Sequence, residues 1–160
     1  MALILFLLLQ RLAELLYARR NTRKLLARGA VEYGAGHYPL IVGFHLAWLL
    51  ALAWWGWQHP LHLGWLSVFA ALQLARIWVL ASLGDRWTTR IIILNAPLIR
   101  RGPYRWVSHP NYLIVAAEIF VAPMVLGQWQ IAVIFSLLHV AVLSIRIKAE
   151  NHAIAQHSTV

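Results

Sequence analysis

The chain has 160 residues, of which 61% are hydrophobic and only 12% charged, and its net charge is +9. A soluble domain of this size is about half apolar and about a quarter charged. The composition therefore excludes an ordinary water-soluble fold and points to an all-α integral membrane protein, a single membrane domain over 1–160. There are no cysteines, which excludes disulfides and thiolate metal sites.

Five apolar segments follow in chain order, at about 2–18, 39–57, 61–83, 111–126 and 128–147. A helical span takes roughly 20 residues. About five transmembrane helices are thus predicted, the first and fourth being short. The first segment lacks a basic leader and carries Arg11 and Glu14, so it reads as a retained span rather than a signal peptide. The last two segments are joined by Gly127-Gln128 alone, which predicts a C-terminal helical hairpin, with Pro123 bending its first arm. The chain divides into three N-terminal spans (1–83), a polar loop (84–110), and the hairpin with its tail (111–160).

The connections alternate in charge. The first carries Arg19, Arg20, Arg23, Lys24 and Arg28, and the third Arg86, Arg90, Arg100, Arg101 and Arg105. The second, around Gln58-His59-Pro60, and the fourth have no Lys or Arg, while Arg146 and Lys148 lie near the C-terminus. Five spans then place every basic segment on one side, so the positive-inside rule predicts the N-terminus outside and the C-terminus cytoplasmic. The high charge is explained without nucleic acid, and membrane lipids with anionic headgroups are the expected partners of these loops. Trp48, Trp54, Trp55, Trp57 and Trp65 surround the second connection and read as an outer aromatic belt.

Some polar residues fall inside spans, where charges are costly and are paired or functional. Arg76 and Glu118 lie about 9 and 12 Å from the cytoplasmic ends at ~1.5 Å per residue, so they can pair as a structural ion pair. Arg11 and Glu14, three apart, share one helix face. His45 and His139 are expected to hydrogen-bond between helices. No pair with clear ligand spacing exists, and no metal is predicted.

The segment Arg101–Tyr112 reads RGPYRWVSHPNY and lies between apolar runs. Proline suits the first turn of a helix, so a helix is expected to start near Pro110 with its free N–H groups facing the loop. Such N–H groups favour an anion or carboxylate. Read alone, the loop is also what topology signals and interface anchors look like. Arg146 and Glu150 are four apart, hence on one helix face at the cytoplasmic end of the last span. By themselves they are an ordinary surface pair. With the loop they complete a polar cup, to which Tyr104, Trp106 and Tyr112 add aromatic faces suited to a cationic ligand.

Leu98-Ile99, Gly102-Pro103-Tyr104, His109-Pro110-Asn111-Tyr112 and, after one hairpin, Arg146-x-x-x-Glu150 occur in that order. This arrangement resembles the isoprenylcysteine carboxyl methyltransferase family, over roughly the last 65 residues, and GAVEYGAGHYP at 29–39 resembles its bacterial branch. The resemblance implies an S-adenosylmethionine-dependent O-methyltransferase acting on the carboxylate or hydroxyl oxygen of a lipophilic small molecule or lipidated acceptor. It implies a location in the bacterial inner membrane with the active site facing the cytoplasm, and makes 84–110 the cofactor-site loop. By position, Ala96, Pro97, Leu98 and Ile99 would line the cofactor pocket, with Tyr104, His109, Pro110, Asn111 and Tyr112 continuing it and Glu150 touching the cofactor. Arg146 would be the catalytic and acceptor-binding residue. Ser108 stands where the family usually has arginine, and the sequence ends ten residues after Glu150, before the acidic, aromatic segment that family members often carry. The His-Pro element alone is also similar to membrane sterol reductases, which keeps a nicotinamide-dependent reductase open. A non-catalytic lipid-binding protein is the third reading.

Overall fold

Proline and glycine set several of the helix boundaries. The computed structural model describes residues 2–56, 59–97 and 99–157. Pro39 lies in the first turn of α2 (Tyr38–Trp55) and Pro110 begins α4 (Pro110–Val125), positions where a missing N–H costs nothing. The other helices are α1 (Ala2–Leu26), α3 (Leu63–Leu83) and α5 (Trp129–His157). Gly127 takes φ 68 between α4 and α5, and the Gly127 and Gln128 N–H groups bond back to the carbonyls of Met124 and Pro123. This closes the expected hairpin. Pro123 lies in the last turn of α4, where the helix is already ending.

Ala35–Trp55, Leu63–Arg86 and Trp129–Ala155 are long and apolar enough to cross a membrane. With the apolar composition they make this an integral membrane protein. α4 is apolar but has only 16 residues. α1 and α5 both run well past the apolar stretches read from the sequence. Arg, Lys, Glu and Ala are good helix formers, and their long side chains can reach water from a helix that has left the bilayer.

The helices alternate in direction. At one end of the bundle the His62 N–H bonds the Val125 carbonyl, and the Gln128 amide bonds that of Trp55. At the other end the basic connections meet. There β1 (Val31–Tyr33) pairs antiparallel with β2 (Ile91–Ile93), in the register Val31↔Ile93, Glu32↔Ile92 and Tyr33↔Ile91. This short two-stranded sheet departs from the all-α expectation. The β-branched run of β2 suits it, and Arg90 donates to Glu32 across the ladder at 2.7 Å.

The core combines α1, α2, α3 and α4 through Leu7, Trp48, Leu52, Phe69, Ile119 and Val125, with Ile131 from α5. Trp48 is fully buried there, which corrects its assignment to the aromatic belt. It lies two turns inside α2, on the face turned toward the bundle. Trp54 and Trp55, at the helix end, are exposed as a belt requires. Trp65 is partly buried against the core, edge-on to Phe120, and Trp57 lies outside the described residues.

Buried Asn21 near the end of α1 donates to the carbonyls of Gly84 (3.1 Å) and Trp87 (2.9 Å) just beyond α3. Replacing it with alanine leaves both carbonyls without this donor. We expect Asn21→Ala to cost about 1–3 kcal/mol, read as a lower Tm in detergent. An unchanged Tm would show that this connection does not need the tie.

Candidate active site

The loop before α4 is fastened to the end of α3. Arg101 Nε donates to the Ser82 carbonyl at 2.7 Å. Gly102, at φ 57, packs so tightly that a Cβ there would fall 2.1 Å from Ser82 Oγ. Only glycine serves both the conformation and the approach. The next residues form a 3-10 turn, Gly102–Arg105, which holds Tyr104 half-buried. Burial pushes the Tyr104 phenol above its ordinary value, and the neighbouring Tyr112 and Glu150 push it further. Tyr104 therefore stays protonated at neutral pH and offers a hydroxyl, not a phenolate.

His109 precedes α4, and its carbonyl accepts the Tyr112 N–H at 3.1 Å. Its ring lies flat on Tyr112, with centroids 5.1 Å apart and planes 6° from parallel. Tyr112 is the hub of the site. Its hydroxyl donates to Glu150 Oε2 and accepts from Arg146 Nε at 2.8 Å. Arg146 also lies over the Tyr112 ring and donates from Nη1 to the Thr89 carbonyl at 2.9 Å. His109 Nδ1 is 3.9 Å from Glu150 Oε1. The loop, the start of α4 and the inner part of α5 thus converge on one point. Among the described residues, Arg146 and Glu150 are linked through the Tyr112 hydroxyl rather than by a direct ion pair.

The other expected residues are placed less centrally. Pro110 is buried at the helix start, and Asn111 is half-buried with its Oδ1 lacking a partner. Ala96 and Ile99 are half-buried, and Pro97 is exposed. What holds this stretch is a turn from the Ala96 N–H to the Leu94 carbonyl, and Arg86 Nη1 donating to the Pro97 carbonyl at 2.5 Å. Leu98 lies outside the described residues. The parts played by Thr89 and Tyr38 escaped the sequence reading. Thr89 offers its carbonyl to Arg146 and its hydroxyl to Tyr38, at 3.0 Å, while Arg90 lies over the Tyr38 ring. The run Thr88–Ile93 carries a strand signal that marks this segment, but a carbonyl role leaves no trace in residue type.

Below this point a cavity of about 270 Å³ runs into the bundle. Thr89, Asn111, Tyr112 and Arg146 line its polar mouth, and Ile41, Val115, Val142 and Leu143 line its apolar middle. Val42 and Leu46 line it while also being exposed on the outer surface of α2, so the cavity borders the lipid there. Deeper in lie Arg11, His45 and His139.

Arg76 and Glu118 pair as expected, at 2.6 Å, but within a larger group. Arg76 also bonds Glu14 through Nε and, at 2.7 Å, through Nη2. Arg11 bridges Glu14 at 3.0 Å and Glu118 at 2.6 Å, and Gln73 donates to Glu118 at 2.7 Å. Two cations and two anions balance, tying α1, α3 and α4 together, and Arg11, Glu14 and Arg76 of this group line the cavity. Among the described residues, no three His, Cys, Asp or Glu side chains gather as metal ligands.

An uncharacterized protein of Bacillus subtilis, YpbQ, is 36% identical, the match covering 98% of this chain and 96% of the relative. An uncharacterized protein of Haemophilus influenzae is 26% identical over 85% of this chain and 83% of its own length. No solved structure matches. The sequence profile of the isoprenylcysteine carboxyl methyltransferase (ICMT) family matches residues 64–156, from the start of α3 through Glu150, which is more than half of the chain and further back than the motifs alone reach. The chain belongs to the isoprenylcysteine carboxyl methyltransferase family.

Proposed function

We propose that this protein transfers a methyl group from S-adenosylmethionine to a carboxylate or hydroxyl oxygen of a lipophilic acceptor, at the cytoplasmic boundary of a bacterial inner membrane. The observation that carries this reading is the meeting of His109, Tyr112, Arg146 and Glu150 at the mouth of a lipid-bordering cavity. The same proposal divides the chain into N-terminal spans, a cofactor loop at 84–110 and a C-terminal hairpin, and the positive-inside rule supports an outward N-terminus with the basic end in the cytoplasm.

The residues present fit the cofactor. Glu150 offers a carboxylate to an ammonium or sulfonium, the stacked His109 and Tyr112 rings offer aromatic faces, and Asn111 Oδ1 is a buried acceptor without a partner. When bound, the cofactor supplies an electrophilic methyl group. Tyr104, the backbone of the 96–99 stretch and the His109–Tyr112 turn would line its pocket. Arg146, held by Tyr112 and Thr89, is positioned to orient the acceptor oxygen. An ionised carboxylate needs no base, so alignment and exclusion of water are the protein's main tasks. For a hydroxyl acceptor, Glu150 or His109 can take the proton.

The test is titration calorimetry on detergent-purified protein, with S-adenosylmethionine, S-adenosylhomocysteine and a nicotinamide cofactor in separate runs. Binding of the first two is expected. Nicotinamide binding alone would favour the reductase reading. Glu150→Gln keeps a hydrogen-bond acceptor for Tyr112 but loses the charge, and we expect S-adenosylmethionine affinity to fall about tenfold. Unchanged affinity would remove Glu150 from the cofactor site. Labelled methyl transfer to a membrane lipid extract separates an enzyme from a lipid-binding relic, since one labelled product disposes of the latter.

A further inference from the structure

We propose that the inner part of the cavity is a second, polar subsite that binds a hydroxyl group on the body of the acceptor. This rests on the methyltransferase reading and deepens it. A pocket for a plain hydrocarbon tail would be apolar to its end. Here the lining turns polar again. Seven residues separate Tyr38 from His45 on α2 and His139 from Arg146 on α5, so both imidazoles lie about 10 Å below the polar mouth at ~1.5 Å per residue. Their ring centroids are 6.3 Å apart, and both line the cavity.

The hydrogen bonding defines what can occupy this level. His45 Nδ1 lies 2.8 Å from the Ile41 carbonyl. A carbonyl only accepts, so Nδ1 carries the proton and Nε2 is left as an acceptor. His139 is only 5% exposed and packs against Phe44 and His45 through ring contacts. No hydrogen bond to a described residue holds its ring. An alkyl chain seated here would leave these nitrogens unpaired in a water-poor space, which is unfavourable. An ether or ester oxygen cannot donate to His45 Nε2, whereas a hydroxyl can, and it can also accept. The ligand class is therefore an amphipathic molecule with a carboxylate or equivalent oxygen at Arg146 and a hydroxyl two helical turns deeper.

Octanoate and ω-hydroxyoctanoate differ by that group alone. Each would be titrated into detergent-purified protein, with binding followed calorimetrically in the absence of any methyl donor. The hydroxylated probe is expected to bind about fivefold tighter to the native protein, the usual scale of one hydrogen bond. His45→Phe and His139→Phe, checked for retained helix content and monodispersity, should each reduce that preference while leaving octanoate binding near its native value. Equal or weaker binding of the hydroxylated probe by the native protein overturns the proposal. So does a preference that survives in both variants, or failure of both probes to bind. Methyl transfer without hydroxyl preference would sink the subsite alone. Hydroxyl preference without S-adenosylmethionine binding would support the subsite while sinking the enzyme reading.

Discussion

Arg146→Ala should reduce methyl transfer by about a hundredfold or more, the scale associated with losing alignment of the reacting groups, while the protein stays folded. The guanidinium touches Tyr112 through Nε and the Thr89 carbonyl through Nη1, and these contacts position it at the mouth of the cavity. Alanine removes the cation that would orient the acceptor oxygen and releases Tyr112 from one of its two partners. Arg146→Lys is a sharper probe. It keeps the charge but not the fork, so it cannot satisfy Tyr112 and Thr89 in the same geometry. We expect Lys to recover a minor part of the activity. Turnover of labelled donor by equal amounts of folded protein checks both variants. Near-native turnover by Arg146→Ala would remove this residue from the reaction.

Glu118→Leu should be the most damaging single change to stability. Glu118 is fully buried and accepts from Arg11, Arg76 and Gln73. Its removal leaves two arginines facing one carboxylate, Glu14. Breaking a buried pair from one side costs about 3–5 kcal/mol, largely because the remaining charge has lost its partner. The companion variant Arg76→Met with Glu118→Leu leaves Arg11 and Glu14 as a balanced pair, 3.0 Å apart. It should be more stable than Glu118→Leu alone, a non-additivity expected of groups in one network. Thermal unfolding in detergent measures both. A double variant as unstable as the sum of its parts would mean that charge balance is not what holds α1, α3 and α4 together.

Hydropathy located the helices because a bilayer demands long apolar stretches, whatever the details of packing. The hairpin was legible because a two-residue connection leaves few alternatives, and Arg76–Glu118 because buried charges need partners at matching depth. Other features depend on three-dimensional neighbours. Nothing in the spacing of Arg11 and Glu14 shows that they join Arg76 and Glu118 in one group of four. Trp48 resembles its neighbours Trp54 and Trp55 in sequence, yet only the helix face decides which tryptophan meets the core. The pairing of β1 with β2 joins segments about 60 residues apart, and short strands leave little periodicity to read. Among the described residues, the interhelical hydrogen bonds expected of His45 and His139 are not what forms: His45 Nδ1 bonds the Ile41 carbonyl of its own helix, and the two rings meet only edge-on, 6.3 Å apart. At the site, Tyr112 as the link between Arg146 and Glu150 was hidden because it lies on another helix.

The family profile begins at residue 64, whereas Leu15, Tyr38, Ile41, Val42 and His45, all from α1 and α2, form one wall of the cavity. The proposed donor-binding residues and Arg146 thus belong to the stretch that the family profile matches, and much of the surface that would face the proposed acceptor belongs to the stretch before it. On the proposed function, substitutions along this wall would change which acceptor fits, provided that Tyr38, which bonds Thr89, and Arg11 and Glu14, which bond Glu118 and Arg76, are kept. Exchanging those helices between relatives would then be expected to alter selectivity while the proposed transfer residues stay in place.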